Sequence, residues 1–76
     1  MNIDDFIEKF RTIFEDGKSL DISPAAEFRA LEQWDSLAVL GLMSMIDMEY
    51  DAQLTPAELK GANTLQDLFH LVKTKT

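Results

Sequence analysis

With 76 residues, of which 46% are hydrophobic, two prolines, three glycines and no cysteine, the chain is expected to fold around one small core with no disulfide, thiolate metal site or cysteine nucleophile. Fourteen acidic against seven basic residues give a net charge of −7, which argues against nucleic acid as a partner and for proteins with basic patches, steered electrostatically. No stretch is long and apolar enough to span a membrane, and the start, Met1-Asn2-Ile3-Asp4-Asp5, carries no basic region or apolar signal core, so a cytoplasmic protein without membrane insertion is expected.

In chain order, Ile3, Phe6, Ile7, Phe10, Ile13 and Phe14 recur at helical spacing with charges between them, predicting a first amphipathic helix whose aromatics are core. Asn2 can cap its start. Gly17-Lys18 reads as its stop, with the glycine free to turn left-handed. Residues 18 to 35 form a long connection in which Ser23-Pro24 can open a short turn and Phe28 and Leu31 pin the loop to the core.

A second helix is predicted from Ser36 to about Tyr50, and a wheel at 100° per residue gives it two apolar faces. Val39, Leu42, Met43, Ile46 and Tyr50 make one; Leu37, Leu40, Gly41, Ser44 and Met48 make the other. A small bundle needs only one such face, so the second is read as partner-binding, with Met48 adaptable in packing and Gly41 allowing close backbone approach. Thr55-Pro56-Ala57-Glu58 spells a capping box for a short third helix ending at Gly61. A fourth starts at Asn63 or Thr64, with Gln66 or Asp67 at capping-box spacing, and carries Leu65, Leu68, Phe69 and Val72 on one face. The expected fold is all-α: one domain over residues 1–76, a four-helix bundle of three principal helices and a short one, with a long loop between helices one and two.

Catalytic chemistry finds little to work with. His70, the single histidine, stands three residues after Asp67 on the outer side of the fourth helix, where pairing with that acid is the simpler reading. Asp47 and Asp51 share a helix face, yet no calcium-binding loop follows them. No metal site and no enzyme are expected. What remains is Ser36, a hydroxyl at a helix start, where free N–H groups and the positive end of the dipole suit a phosphate.

Set at mid-chain before a helix, in an acidic cysteine-free helical chain of this length, Asp35-Ser36-Leu37 resembles the motif of the acyl carrier proteins, and the resemblance covers essentially the whole chain. It implies that Ser36 receives a 4'-phosphopantetheine arm from coenzyme A through a separate phosphopantetheinyl transferase, and that the arm supplies the thiol the sequence lacks, carrying acyl groups as thioesters. It implies that Asp35 assists the transferase and its magnesium ion, in addition to capping the helix. It also implies an acyl cleft between helices two and three, whose matching positions are Phe28, Leu42, Ile46, Leu54, Leu59, Ala62 and Leu68; each is equally well explained as core.

Departures from the family pattern bear on the pathway. Trp34 stands before the motif, where carriers of general fatty acid synthesis usually have a glycine, and Ala38, Gly41 and Met48 stand where acids would be expected. These departures suggest a dedicated lipid, polyketide, surface-polymer or aminoacyl route, with fatty acid synthesis still open. The expected protein is a monomeric carrier meeting a transferase and acyl-loading and acyl-processing enzymes. The alternative is a helical adaptor that binds partners through the outer face of helix two, with Ser36 only a cap.

Overall fold

The computed structural model describes residues 2–76; Met1, where the expected domain begins, lies outside them. They form four α-helices: α1 (Ile3–Arg11), α2 (Ser36–Tyr50), α3 (Pro56–Gly61) and α4 (Leu65–Lys75), with single turns of 3₁₀ helix at Gly17–Ser19 and Phe28–Ala30 in the long connection. Phe6, Phe10, Phe28, Leu42, Ile46, Leu65, Leu68 and Val72 are fully buried, so every helix except the short α3 contributes to the centre, and Leu59 of α3 packs onto it.

Local sequence explains each helix start. Asn2 accepts the Asp5 N–H at 2.9 Å and Asp35 accepts the Ala38 N–H at 2.8 Å. Thr55 with Glu58 and Thr64 with Asp67 each complete a reciprocal capping box. Four orphan amides at a helix start are thus partly satisfied by side chains, the reason Ser, Thr, Asn and Asp are favoured there. Pro56 sits at the first helical position, where no N–H is needed.

The end of α1 corrects the expectation that helical periodicity runs through Phe14. From Thr12 onward the backbone tightens: Thr12, Ile13 and Phe14 donate to the carbonyls three residues back at 3.1–3.2 Å, and Thr12 Oγ1 donates to the Lys9 carbonyl at 2.6 Å. The Arg11 guanidinium reaches forward to the carbonyls of Gly17, at 2.9 Å, and of Leu20, drawing the chain back over the helix end. Gly17 is not left-handed, as expected of a helix stop; no glycine among the described residues has positive φ. Its lack of a side chain serves packing, since a Cβ there would stand 1.9 Å from the Arg11 carbonyl oxygen. The left-handed residue is instead Asp51 (φ 52°, ψ 43°), which ends α2 with its N–H on the Asp47 carbonyl.

The long connection is tied to the start of α4. Leu65 and Gln66 donate their amides to the carbonyls of Ala26 and Pro24 at 3.1 and 2.9 Å. Asn63 Nδ2 donates to Glu27 Oε1 at 3.0 Å, and Arg29 donates to the Leu59 carbonyl at the end of α3. These bonds satisfy backbone groups the loop would otherwise leave to water and fix the approach of the chain to Ser36.

Candidate functional site

Ser36 is the first residue of α2 and is exposed. Asp35, extended and also exposed, spends its carboxylate on the Ala38 amide while its carbonyl accepts from Val39 at 3.1 Å. The N–H groups of Ser36 and Leu37 precede the first intrahelical acceptor, so the helix presents free donors and its positive end beside the serine hydroxyl. A hollow of about 350 Å³ next to the motif is bordered by Asp35, Leu37 and Ala38 on one side and by Phe14, Glu15 and Asp16 on the other.

Helix α2 divides its apolar residues differently from the wheel. Ala38 and Met45, assigned to neither face, are buried with Leu42 and Ile46, while Val39, Met43 and Tyr50 are half-buried flanks. Of the outer face, Leu37, Leu40 and Met48 are 75%, 66% and 80% exposed, and Ser44 is open, its hydroxyl 3.9 Å from Met48 Sδ. Gly41 lies at the edge of that face, with Ile13 against it: a Cβ on Gly41 would stand 2.8 Å from Ile13 Cγ2. Gly41, Ser44 and Met48 share a groove of about 440 Å³ with Lys9, Thr12 and Glu49. The group that approaches Gly41 most closely is thus a side chain of the same chain, not the backbone of a partner.

The seven residues expected at an acyl cleft, Phe28, Leu42, Ile46, Leu54, Leu59, Ala62 and Leu68, are all buried in one continuous core. Trp34 is the residue whose importance periodicity did not reveal. It lies stacked on Phe10 (centroids 6.4 Å apart, rings 16° from parallel) and edge-on to Phe28 (5.0 Å, 68°). The usable signal was a large aromatic immediately before the helix cap.

Elsewhere the titratable groups serve structure. The Asp67 carboxylate accepts the amides of Asn63 and Thr64, both at 3.0 Å, and the Thr64 and then the Asn63 amide hold its pKa below the usual carboxylate range, with His70 a minor cause. Capping is therefore the main duty of Asp67, and the expected pairing with His70 is a lesser contribution. Glu58 is lowered likewise, first by the Thr55 amide and then by Lys75, whose ammonium stands 2.9 Å away.

Compared with known families, residues 3–72 match the family described as phosphopantetheine attachment site. The chain belongs to that family. Its fold is similar to the solution structure of a holo acyl carrier protein from Geobacter metallireducens, with a TM-score of 0.81 and 26% identity over 96% of this chain and 83% of that one. No curated protein matches the chain. As a member of the phosphopantetheine attachment family, the chain is a carrier and not itself an enzyme, its cofactor is covalently attached 4'-phosphopantetheine, and its partners are, as for the family at large, a phosphopantetheinyl transferase and the enzymes of a pathway. No helix among the described residues is long and apolar enough to cross a membrane.

Proposed function

We propose that residues 1–76 form one acyl carrier domain, that Ser36 is its attachment residue, and that the domain serves a dedicated acyl-transfer pathway. The observation that carries this reading is the exposed Ser36 hydroxyl at the first position of α2, with Asp35 capping the helix behind it. In the attachment step the Ser36 oxygen bonds to the phosphorus that bears the pantetheine arm, its proton is lost, and the adenosine bisphosphate half of coenzyme A leaves. The phosphodiester then sits against the free amides of the first turn, where negative charge is favoured. Glu15, Asp16 and Asp35 border the hollow beside the motif, and their charges would disfavour a phosphodiester within it. The arm supplies a terminal thiol on which acyl groups are held as thioesters.

Exposed Leu37, Leu40 and Met48 support partner recognition with more apolar complementarity and less charge pairing than an acidic helix would use. Such a surface fits enzymes of a dedicated pathway, acting in the cytoplasm on a monomeric carrier. Incubating the chain and Ser36→Ala with coenzyme A and a broad-specificity transferase tests the reading by intact mass: one arm is expected on the unmodified chain and none on the variant. No arm on either, with several transferases tried, would favour a helical adaptor in which Ser36 is only part of a cap.

A further inference from the structure

We propose that Met48 is a reversible redox modification site, at which a hydroperoxide turns the outer face of α2 from apolar to polar and weakens its hold on partners. This rests on the reading of that face as the carrier's recognition surface. Met48 is 80% exposed, whereas Met45 is buried and Met43 half-buried, so Met48 is the most accessible thioether among the described residues. The chain has no cysteine, and until an arm is attached no thiol competes with that sulfur for an oxidant. Ser44, one helical turn back, places its hydroxyl 3.9 Å from Met48 Sδ.

In the modification a sulfur lone pair attacks the terminal oxygen of the hydroperoxide. The S–O bond forms as the O–O bond breaks, and the proton of the transferred hydroxyl passes to the departing oxygen, which leaves as water or an alcohol. Sulfur loses two electrons and the peroxide gains them. The product is a sulfoxide, polar where the thioether was apolar and returned to it by sulfoxide reductases. Its oxygen is a strong acceptor, which the Ser44 hydroxyl can satisfy in the free chain. A partner's apolar surface cannot, and burying the sulfoxide beneath one is costly. Leu37, Leu40 and Met48 are the large apolar side chains the helix leaves exposed, so one added oxygen changes a third of that set. Met48 stands twelve residues after Ser36, about 18 Å along the helix axis. Oxidation therefore acts on binding and leaves the attachment chemistry alone.

The test treats the unmodified chain, Met48→Leu and Met48→Gln with hydrogen peroxide, locates the added oxygen by peptide mass, and confirms folding by circular dichroism. Met48 is expected to oxidise at least about tenfold faster than Met45 and ahead of Met43. Oxidation should shorten retention of the chain on a hydrophobic-interaction column. With a broad-specificity phosphopantetheinyl transferase and coenzyme A, it should raise the KM for the chain at least about fivefold and leave kcat within about twofold. Met48→Leu, which keeps an apolar side chain without sulfur, should resist both effects of peroxide, and Met48→Gln should reproduce them without it. Sulfoxide reductase should restore the treated wild type. A chain that takes no arm before treatment marks failure of the carrier reading, and peptide mass and retention then decide this one. Equal oxidation of Met45 and Met48, unchanged retention or KM after oxidation of Met48, or the same response in Met48→Leu overturns the proposal.

Discussion

Ile13 occupies the space that a side chain at position 41 would need, its Cγ2 standing 2.8 Å from where a Cβ on Gly41 would be. Isoleucine is branched at Cβ and stiff, so the contact resists relaxation. In wild type, Gly41→Ala is expected to lose through this clash the roughly 1 kcal/mol that alanine gains over glycine inside a helix. In an Ile13→Ala background the same change should recover that gain of about 1 kcal/mol, measured by urea unfolding as a double-mutant cycle. Equal effects of Gly41→Ala in both backgrounds would show that the two residues are not coupled.

Asp35 has two duties that substitution can separate. Asp35→Ala removes the oxygen that accepts the Ala38 amide and should cost about 1 kcal/mol, whereas Asp35→Asn keeps a good cap and should change stability by only a few tenths. Arm transfer should slow in both variants if the carboxylate has the role toward the transferase and its magnesium ion that the family resemblance implies. An asparagine variant loaded at the wild-type rate would reduce Asp35 to a cap.

Acid should loosen the α3–α4 end of the bundle. Glu58 and Asp67 both have folded pKa values lowered by the amides they accept, Thr55 and Thr64 respectively. Because the folded values lie below the unfolded ones, the stability from these contacts is fully present above the ordinary carboxylate range and is lost as pH falls through the folded values. The stability difference between wild type and Glu58→Gln/Asp67→Asn should therefore be constant near neutrality and shrink as acidification carries the pH down through the ordinary carboxylate range. A difference that grows on acidification would contradict the assignment.

Leu40 and Met48 are predicted to matter to partners rather than to folding. At 66% and 80% exposed, their replacement by serine should change unfolding free energy by no more than about 0.5 kcal/mol each. Arm transfer and acyl loading by the cognate enzymes should slow, read by intact mass over time. A loss of several kcal/mol would place these side chains in the core instead, and sedimentation of wild type as a dimer would assign the face to self-association.

Local chemistry was legible in the sequence where the structure uses it locally. Asn2, Asp35, Thr55-Pro56 and Thr64 each mark a helix start because a cap is decided within four residues. The end of α1 was not legible, since Ile13 and Phe14 keep a helical apolar spacing for a tertiary reason: they fold back to pack against the core. Gly17 looked like a left-handed stop, but its constraint is the nearby Arg11 carbonyl, which no local pattern announces. At the candidate site, Asp35 and Ser36 were readable as chemistry from the motif. The place of Trp34 between Phe10 and Phe28 was not, because Phe10 comes from α1 and the connection that carries Phe28 and Trp34 has no periodicity to show which side faces it.

The bonds that bind Pro24, Ala26 and Glu27 to residues 63–66 impose an order on folding. The Glu27–Asn63 contact spans 36 residues, so the loop before Ser36 gains its partners only when the far end of the domain has joined it. Non-local contacts of this kind close late, and a small domain folds as a unit. The attachment platform therefore matures only once α4 is present, so the surroundings of Ser36 depend on residues that follow it in the chain.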